Sequence, residues 1–307
     1  MLTQIELNKI DRKTWSGHNH TEFCPHGSGE NTELYIQKAI AAGFKTYSIT
    51  EHFPLPPAFY KAVDPDGSRH AIYTAAMSLQ ELPNYFRKMQ FLKQKYQQQI
   101  RILVGFEFDY FAQFRDWTAE QLRCYQHQID EGILSVHFLP TKAGLRAVDE
   151  SAVDFKTGVL NEFGSPLNVA KAYLATIKQA IDWDIPYKPN RYGHLMLYRK
   201  WRNSFSSQTI WHDRTTVLQM QEILEEILKT GGFLDCNCAG LFRLTQTELS
   251  PTSDWLFKAQ VKGIPLVFGA DAHQVASVAQ GYNTYLESKY YFGKKAKLTY
   301  ATKTKLK

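Results

Sequence analysis

The sequence is poor in the features that mark secreted, fibrous or membrane proteins. Only four cysteines occur in 307 residues: Cys24, Cys124, Cys236 and Cys238. Their spacing shows neither a disulfide framework nor a paired C-x-x-C zinc motif, so they read as free thiols. No apolar run approaches the roughly 20 residues that a membrane helix needs. The opening stretch MLTQIELNKIDRKTW lacks the apolar segment of a signal peptide. The expectation is a cytoplasmic protein without a membrane partner. There is no internal repeat, no low-complexity linker and no strong composition break, which argues against solenoids and long disordered arms. Positive charge is in slight excess, 36 Lys and Arg against 30 Asp and Glu, for a net +6. Part of it sits in the tail Lys294–Lys307, read as a solvated end. No dense basic stripe interleaved with aromatics is present, so nucleic acid is not the expected partner. An anionic small molecule is compatible with this balance.

What is present fits an ordinary globular chain. Hydrophobic residues at 44% and aromatics at 14% supply a sizeable core. Short apolar runs alternate with longer amphipathic ones. Strands are expected at Lys13–Gly17, Thr46–Thr50, Ile102–Phe108, Gly132–His137, Arg191–His194, Phe233–Asn237 and Pro265–Gly269. Helices are expected at Thr32–Ala42, Leu79–Gln98, Ala119–Ile129, Val169–Trp183, Thr216–Thr230, Ser253–Lys262 and Val275–Lys289. In Thr216–Thr230, Leu218, Ile223, Leu224, Ile227 and Leu228 read as an apolar stripe that ends at Gly231-Gly232. Repeated strand-then-helix units predict an α/β fold with a parallel sheet. A closed barrel and an open doubly wound sheet both fit that pattern. Phe53–Thr74 and Leu139–Pro166 read as long loops or insertions.

The chain has ten histidines, and most fall at the C-terminal end of an expected strand. His18 and His20 follow the first strand, and His26 lies in the next loop. His52 follows the second in Thr50-Glu51-His52. Glu107 closes the third, and His137 ends Ser135-Val136-His137. His194 ends another strand, and Asp271 and His273 follow the last. Active sites of parallel α/β folds form at that edge. In extended chain, residues i and i+2 point the same way, so His18 with His20, and Asp271 with His273, present paired ligands. Imidazole and carboxylate together suit zinc, manganese or iron. Nine such ligands exceed one ion and point to two or three, with Glu107 a natural bridge. His70, His127 and His212 do not fit the strand-end pattern and read as surface or helix histidines.

These residues resemble successive motifs of the polymerase-and-histidinol-phosphatase (PHP) superfamily. His18-Asn19-His20, His26, Thr50-Glu51-His52, Glu107, Ser135-Val136-His137, Gly193-His194 and Asp271-Ala272-His273 carry the likeness. The run HNHTEFCPHGSGENTELYIQKAIAAGFKTYSITEHFPLPP is similar to the start of the bacterial histidinol-phosphate phosphatases of that superfamily, and GHLMLYRKW and LDCNCAGL match as well. The resemblance implies a distorted seven-stranded (β/α) TIM-like barrel forming a single domain over residues 1–307, with insertions near 53–74 and 139–166. It implies three divalent ions. His18, His20, Glu107 and Asp271 would hold one, and Glu107, His137 and His194 a second. His26, His52 and His273 would hold the third. The implied reaction is hydrolysis of L-histidinol phosphate to histidinol and phosphate in histidine biosynthesis. Asp235, where relatives often carry Glu, and Cys236 and Cys238 beside Asn237 depart from the pattern without touching a proposed ligand.

The expected chemistry is attack of a hydroxide bridging two ions on phosphorus. Asp271 would accept or pass on a proton. His52 or a metal-bound water would protonate the leaving alkoxide. Arg199, with Lys200 beside it, Arg146 in the second insertion and Arg243 after Asn237 are the candidate phosphate contacts, because the guanidinium fork matches phosphate. Asp109, at i+2 from Glu107, and Glu22 are candidates to meet the substrate's amine. Three other readings compete: a PHP-type nuclease or phosphoesterase of another small molecule, a metal-dependent amidohydrolase, and a non-catalytic metal-binding module. Glu107 in place of a bridging lysine points away from the amidohydrolase, and nine filled positions point away from a decayed site.

Overall fold

In the computed structural model, residues 1–67 and 69–287 are described. Nine strands follow in chain order: β1 Trp15–Asn19, β2 Thr46–His52, β3 Arg101–Asp109, β4 Glu131–Ser135, β5 Phe138–Thr141, β6 Gly144–Ala147, β7 Arg191–Tyr192, β8 Phe233–Asn237 and β9 Leu266–Ala272. Seven of them, in the order β1-β2-β3-β4-β7-β8-β9, close into a barrel. All seven pairings are parallel, and closure runs through β1 against β9. Of the two architectures open to the sequence pattern, the closed barrel is the one formed. Its distortion has a local cause: the β1–β9 register shifts on both sides of His18, and β7 is only two residues long. The barrel strands are buried on both faces, as strands inside a ring of helices must be.

The covering helices follow the apolar periodicity with corrections. The helix Arg214–Lys229 starts at Asp213, whose carboxylate accepts the Thr216 N–H at 2.9 Å. It ends before Gly231, whose φ of 68° is the left-handed conformation glycine permits. Its buried stripe is Met220, Ile223, Leu224 and Ile227. Leu218 and Leu228 are exposed, because at 100° per residue neither falls on the face centred on Ile223 and Ile227. The expected helix Leu79–Gln98 is split into a 3-10 turn, Leu79–Glu81, and an α-helix, Leu82–Tyr96, with Pro83 in its first turn. Two helices begin earlier than expected, at Arg115 and Pro166. The element expected at Val275–Lys289 is a 3-10 turn, Val275–Ser277, then a helix over 282–287; its last residues, and the lysine tail, lie outside the described residues.

The two expected loops have structure of their own. Phe59–Ala62 and Arg69–Thr74 are short helices, and β5 and β6 form an antiparallel hairpin. The two insertions pack on each other. Phe59, Val63, Phe111, Phe138 and Leu145 form an apolar cluster distinct from the main core, and the backbone of Val63 bridges to Leu145. This second layer lies over the barrel mouth.

Candidate metal centre

All nine sequence-picked positions come together at the C-terminal mouth, around the buried carboxylate of Glu107. One oxygen, Oε2, faces His18 Nε2 at 3.2 Å, His52 Nδ1 at 3.4 Å and His20 Nε2 at 3.7 Å. The other, Oε1, faces His194 Nε2 at 3.0 Å and His137 Nε2 at 3.7 Å, and takes the Ser135 hydroxyl. Asp271 Oδ1 lies 3.3 Å from His20 Nε2 and 3.7 Å from His18 Nε2. His26 and His273 meet through their Nε2 atoms at 2.9 Å. Gly193 makes the approach possible: a Cβ there would strike Ser135 Oγ and press on Glu107.

Behind the cluster stands a second set of acceptors. His18 Nδ1 lies 2.9 Å from Asp235, His20 Nδ1 3.3 Å from Glu51 and His137 Nδ1 2.8 Å from Asp109. His26 Nδ1 donates to the Thr74 carbonyl at 2.6 Å, and His273 Nδ1 to the Asp271 carbonyl at 3.0 Å. A carbonyl can only accept, so His26 and His273 carry their proton on Nδ1. Their Nε2 atoms then face each other as lone pairs. Two lone pairs at that distance repel unless a cation shares them, and fixing the tautomer through the outer nitrogen is how metal-binding histidines are oriented. His137 and His194 also meet Nε2 to Nε2, at 3.2 Å, but no carbonyl fixes either ring, and a protonated His137 can donate to His194. His52 Nε2 and His194 Nδ1 are buried without a hydrogen-bond partner. The donor set therefore fits divalent cations, and three groups have ligand atoms close enough to share one: His18, His20 and Asp271; His52, Glu107 and His137; and His20, Cys24, His52 and His273.

Electrostatics point the same way. Burial opposes charge on His18, but Glu107, Asp235 and Asp271 outweigh it and hold the imidazole well above its usual range. His20 is raised to about 9 against burial by Asp271 and Glu51. His137 is raised to about 10 against burial by Asp109 and Glu107. Burial and the neighbouring His20 push His52 and His273 well below the usual range. Glu107 and Asp271 stay far below the usual carboxylate range, since the surrounding histidines, with Arg243 beside Asp271, overcome their burial.

Comparison with known proteins agrees with this geometry. The PHP domain profile matches residues 16–239. The chain belongs to the PHP family. It is 37% identical over 273 residues to the histidinol-phosphatase of Bacillus subtilis, across 88% of this chain and 97% of the relative. A crystal structure from Listeria monocytogenes, whose own assignment as a histidinol phosphatase is provisional, superposes with a TM-score of 0.85 at 38% identity, covering 88% of this chain and 99% of the other. The histidinol phosphate phosphatase of Lactococcus lactis, solved with zinc, L-histidinol and phosphate, superposes at 0.60 with 21% identity over 90% and 94%. At that identity the likeness speaks for the fold.

The PHP barrel opens into a cavity of about 610 Å³. Its lining includes Asp109, Lys200, Arg243 and Asp271 beside six of the histidines. Not every substrate-contact candidate faces it. Arg243 does, with Nη2 3.6 Å from Asp271. Arg199 does not line it: its guanidinium is engaged with Glu248 at 2.5 and 3.0 Å. Arg146 ties the hairpin to Asp64 at 2.7 Å and Asp154 at 3.0 Å instead of reaching the cavity. Glu22 pairs with Lys88 and accepts from Thr32. Asp109 shares the Glu107 face, but its Oδ1 already serves His137. Asp271 and His273 also do not sit as the extended i and i+2 pair expected from the sequence. Asp271 has a φ of 51°, so the chain is not extended there and a left-handed bend turns His273 toward His26.

Several cavity residues carried no signal in the sequence. His70, though exposed and helical, lines the mouth, as do Asp149 and Glu150 from the second insertion. Glu51 and Asp235, which orient His20 and His18, were legible only as neighbours of motif residues.

Proposed function

We propose that the protein is a histidinol-phosphate phosphatase, a metal-dependent phosphoric monoester hydrolase that releases L-histidinol and phosphate in histidine biosynthesis. The observation that carries this reading is the constellation around Glu107 in a chain 37% identical, over nearly its whole length, to a curated histidinol-phosphatase. Residues 1–307 would act as one phosphoesterase unit with two insertions, since β1 must pair with β9 to close the barrel. His18, His20, Glu107 and Asp271 would hold one ion, Glu107, His137 and His194 a second, and His26, His52 and His273 a third. Nitrogen and oxygen donors of this kind suit zinc, manganese or iron. When bound, the ions supply a water-derived nucleophile at neutral pH and neutralise charge on the phosphoryl oxygens.

The chain's own groups have separable roles. Glu107 offers one oxygen to each of two histidine sets and so fixes their spacing. Arg243 and Lys200, the arginine and lysine that line the cavity among the described residues, would hold phosphoryl oxygens. Lys200 is held in place by Asp149, through its carbonyl at 2.7 Å and its carboxylate at 3.0 Å. Asp271 is ionised at neutral pH, where it can take a proton and aim Arg243. His52, depressed by burial, is neutral there, so it suits accepting a proton better than donating one, and water is the better source for the leaving alkoxide.

Steady-state rates on histidinol phosphate, beside p-nitrophenyl phosphate, other phosphomonoesters and single-stranded DNA, test the reading. Chelation should abolish turnover and divalent metal should restore it, with histidinol phosphate the preferred substrate. Equal rates across the phosphomonoesters would overturn the substrate, and faster cleavage of DNA would make the site a nuclease.

A further inference from the structure

Four carboxylates line the cavity: Asp109, Asp149, Glu150 and Asp271. Three are committed. Asp109 accepts from His137, Asp149 is neutralised by Lys200, and Asp271 lies among His18, His20, His273 and Arg243. Glu150 differs. It accepts the Ala71 backbone N–H, which ties the segment after the β5–β6 hairpin to the helix of the first insertion. Its Oε2 is buried with no hydrogen-bond partner. Among the described residues no lysine or arginine forms an ion pair with it; Asp154 and Asp149 add negative charge nearby, which His70 only partly offsets. A buried carboxylate oxygen without a donor is costly, and a cation brought from outside relieves that cost.

The cavity is thus bipolar. Lys200, Arg243 and the histidine cluster offer positive charge on the barrel side. On the insertion side, among the described residues, the Glu150 carboxylate has no lysine or arginine partner. A phosphomonoester with an ammonium group has the matching polarity.

We propose that Glu150 is a specificity-determining residue whose carboxylate receives the substrate's protonated amino group. This rests on the histidinol-phosphate reading above. The primary amine is fully charged at neutral pH, whereas a free imidazole is largely neutral there, so the amine is the stronger partner for a carboxylate. The two insertions, which supply no metal ligand of their own, then gain a further function. They hold the selecting charge over a mouth whose proposed metal ligands come from the barrel strands and the loops that follow them.

The test compares Glu150→Gln and Glu150→Lys with the wild type, all metal-replete, on histidinol phosphate and on p-nitrophenyl phosphate, which has no cation. Glu150→Gln should lower the ratio of kcat/KM for histidinol phosphate to that for p-nitrophenyl phosphate by about tenfold or more, the scale of one charge-assisted hydrogen bond. The loss should fall on KM, and Glu150→Lys should deepen it. A ratio unchanged in both variants, or a drop carried by kcat alone, would overturn the assignment. Thermal melts identify a variant that has lost its fold, and the other variant then decides. A wild type without preference for histidinol phosphate would instead break the functional reading, whatever the variants do.

Discussion

The two ends of the barrel both bury charge, and they do so by opposite rules. At the floor, Arg191 on β7 pairs with Glu131 on β4 at 2.9 Å and donates to the Gly17 carbonyl. Trp15, Leu103, Phe233 and Val267 surround that end, and Leu2, Leu7 and Ile10 of the N-terminal segment cover it. One cation meets one anion, although Glu131 Oε1 and Arg191 Nε lack hydrogen-bond partners and both residues line a second cavity of about 290 Å³. At the mouth, the histidine cluster converges on Glu107 and Asp271, with several nitrogens aimed at one another. At the floor the opposite charges answer each other within the chain. The mouth is complete only with cations the chain does not contain. Buried charge by itself does not mark a functional site; a crowd of metal-ligand atoms aimed at one another does.

That contrast can be broken experimentally, starting where the effect is largest. Glu107→Ala removes both oxygens around which the histidines are set. Turnover of the metal-replete enzyme should fall by about three orders of magnitude or more, several kcal/mol of barrier. Near wild-type turnover would sink the bridging role.

At the floor the cost should appear as stability. Arg191→Leu leaves Glu131 buried and alone, and denaturant unfolding should report a loss of about 3–5 kcal/mol. The molecules that remain folded should turn over at close to the wild-type rate. A catalytic defect larger than the stability defect would mean that the two ends are coupled.

Between these lies Asp235→Asn, which weakens the acceptor behind His18. Metal titration should show a loss of about 10–100-fold in affinity, with little change in melting temperature of the metal-free protein. No change in metal affinity would remove Asp235 from the orienting set.

The smallest effect separates the ends by pH. His20 and His137, raised to about 9 and about 10, stabilise the metal-free fold fully below the unfolded value of about 6.5. That contribution is lost as pH rises toward their folded values. His52 and His273 are depressed, so their contribution is present above about 6.5 and lost as pH falls below it. The chelated protein should therefore melt highest near pH 6.5 and lower at pH 9. Bound metal displaces these protons, so metal affinity should rise over the same interval. A metal-free melting temperature that is flat or rising from pH 6.5 to 9 would contradict this electrostatic picture.

Much of this was legible before folding. His18, His20, His52, Glu107, His137, His194, Asp271 and His273 stand at strand ends because a parallel barrel gathers those ends at one mouth, and strand periodicity is a local signal. His26 was marked by motif likeness, and its contact with Thr74 of the first insertion was invisible. The arginines show the limit. Arg199 and Arg243 both follow strand-end segments, yet Glu248, 49 residues beyond Arg199, engages one of them, and the other faces the cavity. Nothing local distinguishes them, because an ion-pair partner is chosen by packing between distant segments.

The sequence by itself determined the α/β class, the edge of the sheet at which chemistry would gather, and the nitrogen and oxygen donor set. These follow from periodicity and residue type. Tertiary structure decided that the sheet closes, that the insertions pack into one layer over the mouth, and which charges are already answered inside the chain. Of the four carboxylates lining the cavity, Glu150 alone has no lysine, arginine or histidine side chain paired with it among the described residues, while the other three find such partners. That is a property of three-dimensional proximity, which no spacing along the chain encodes.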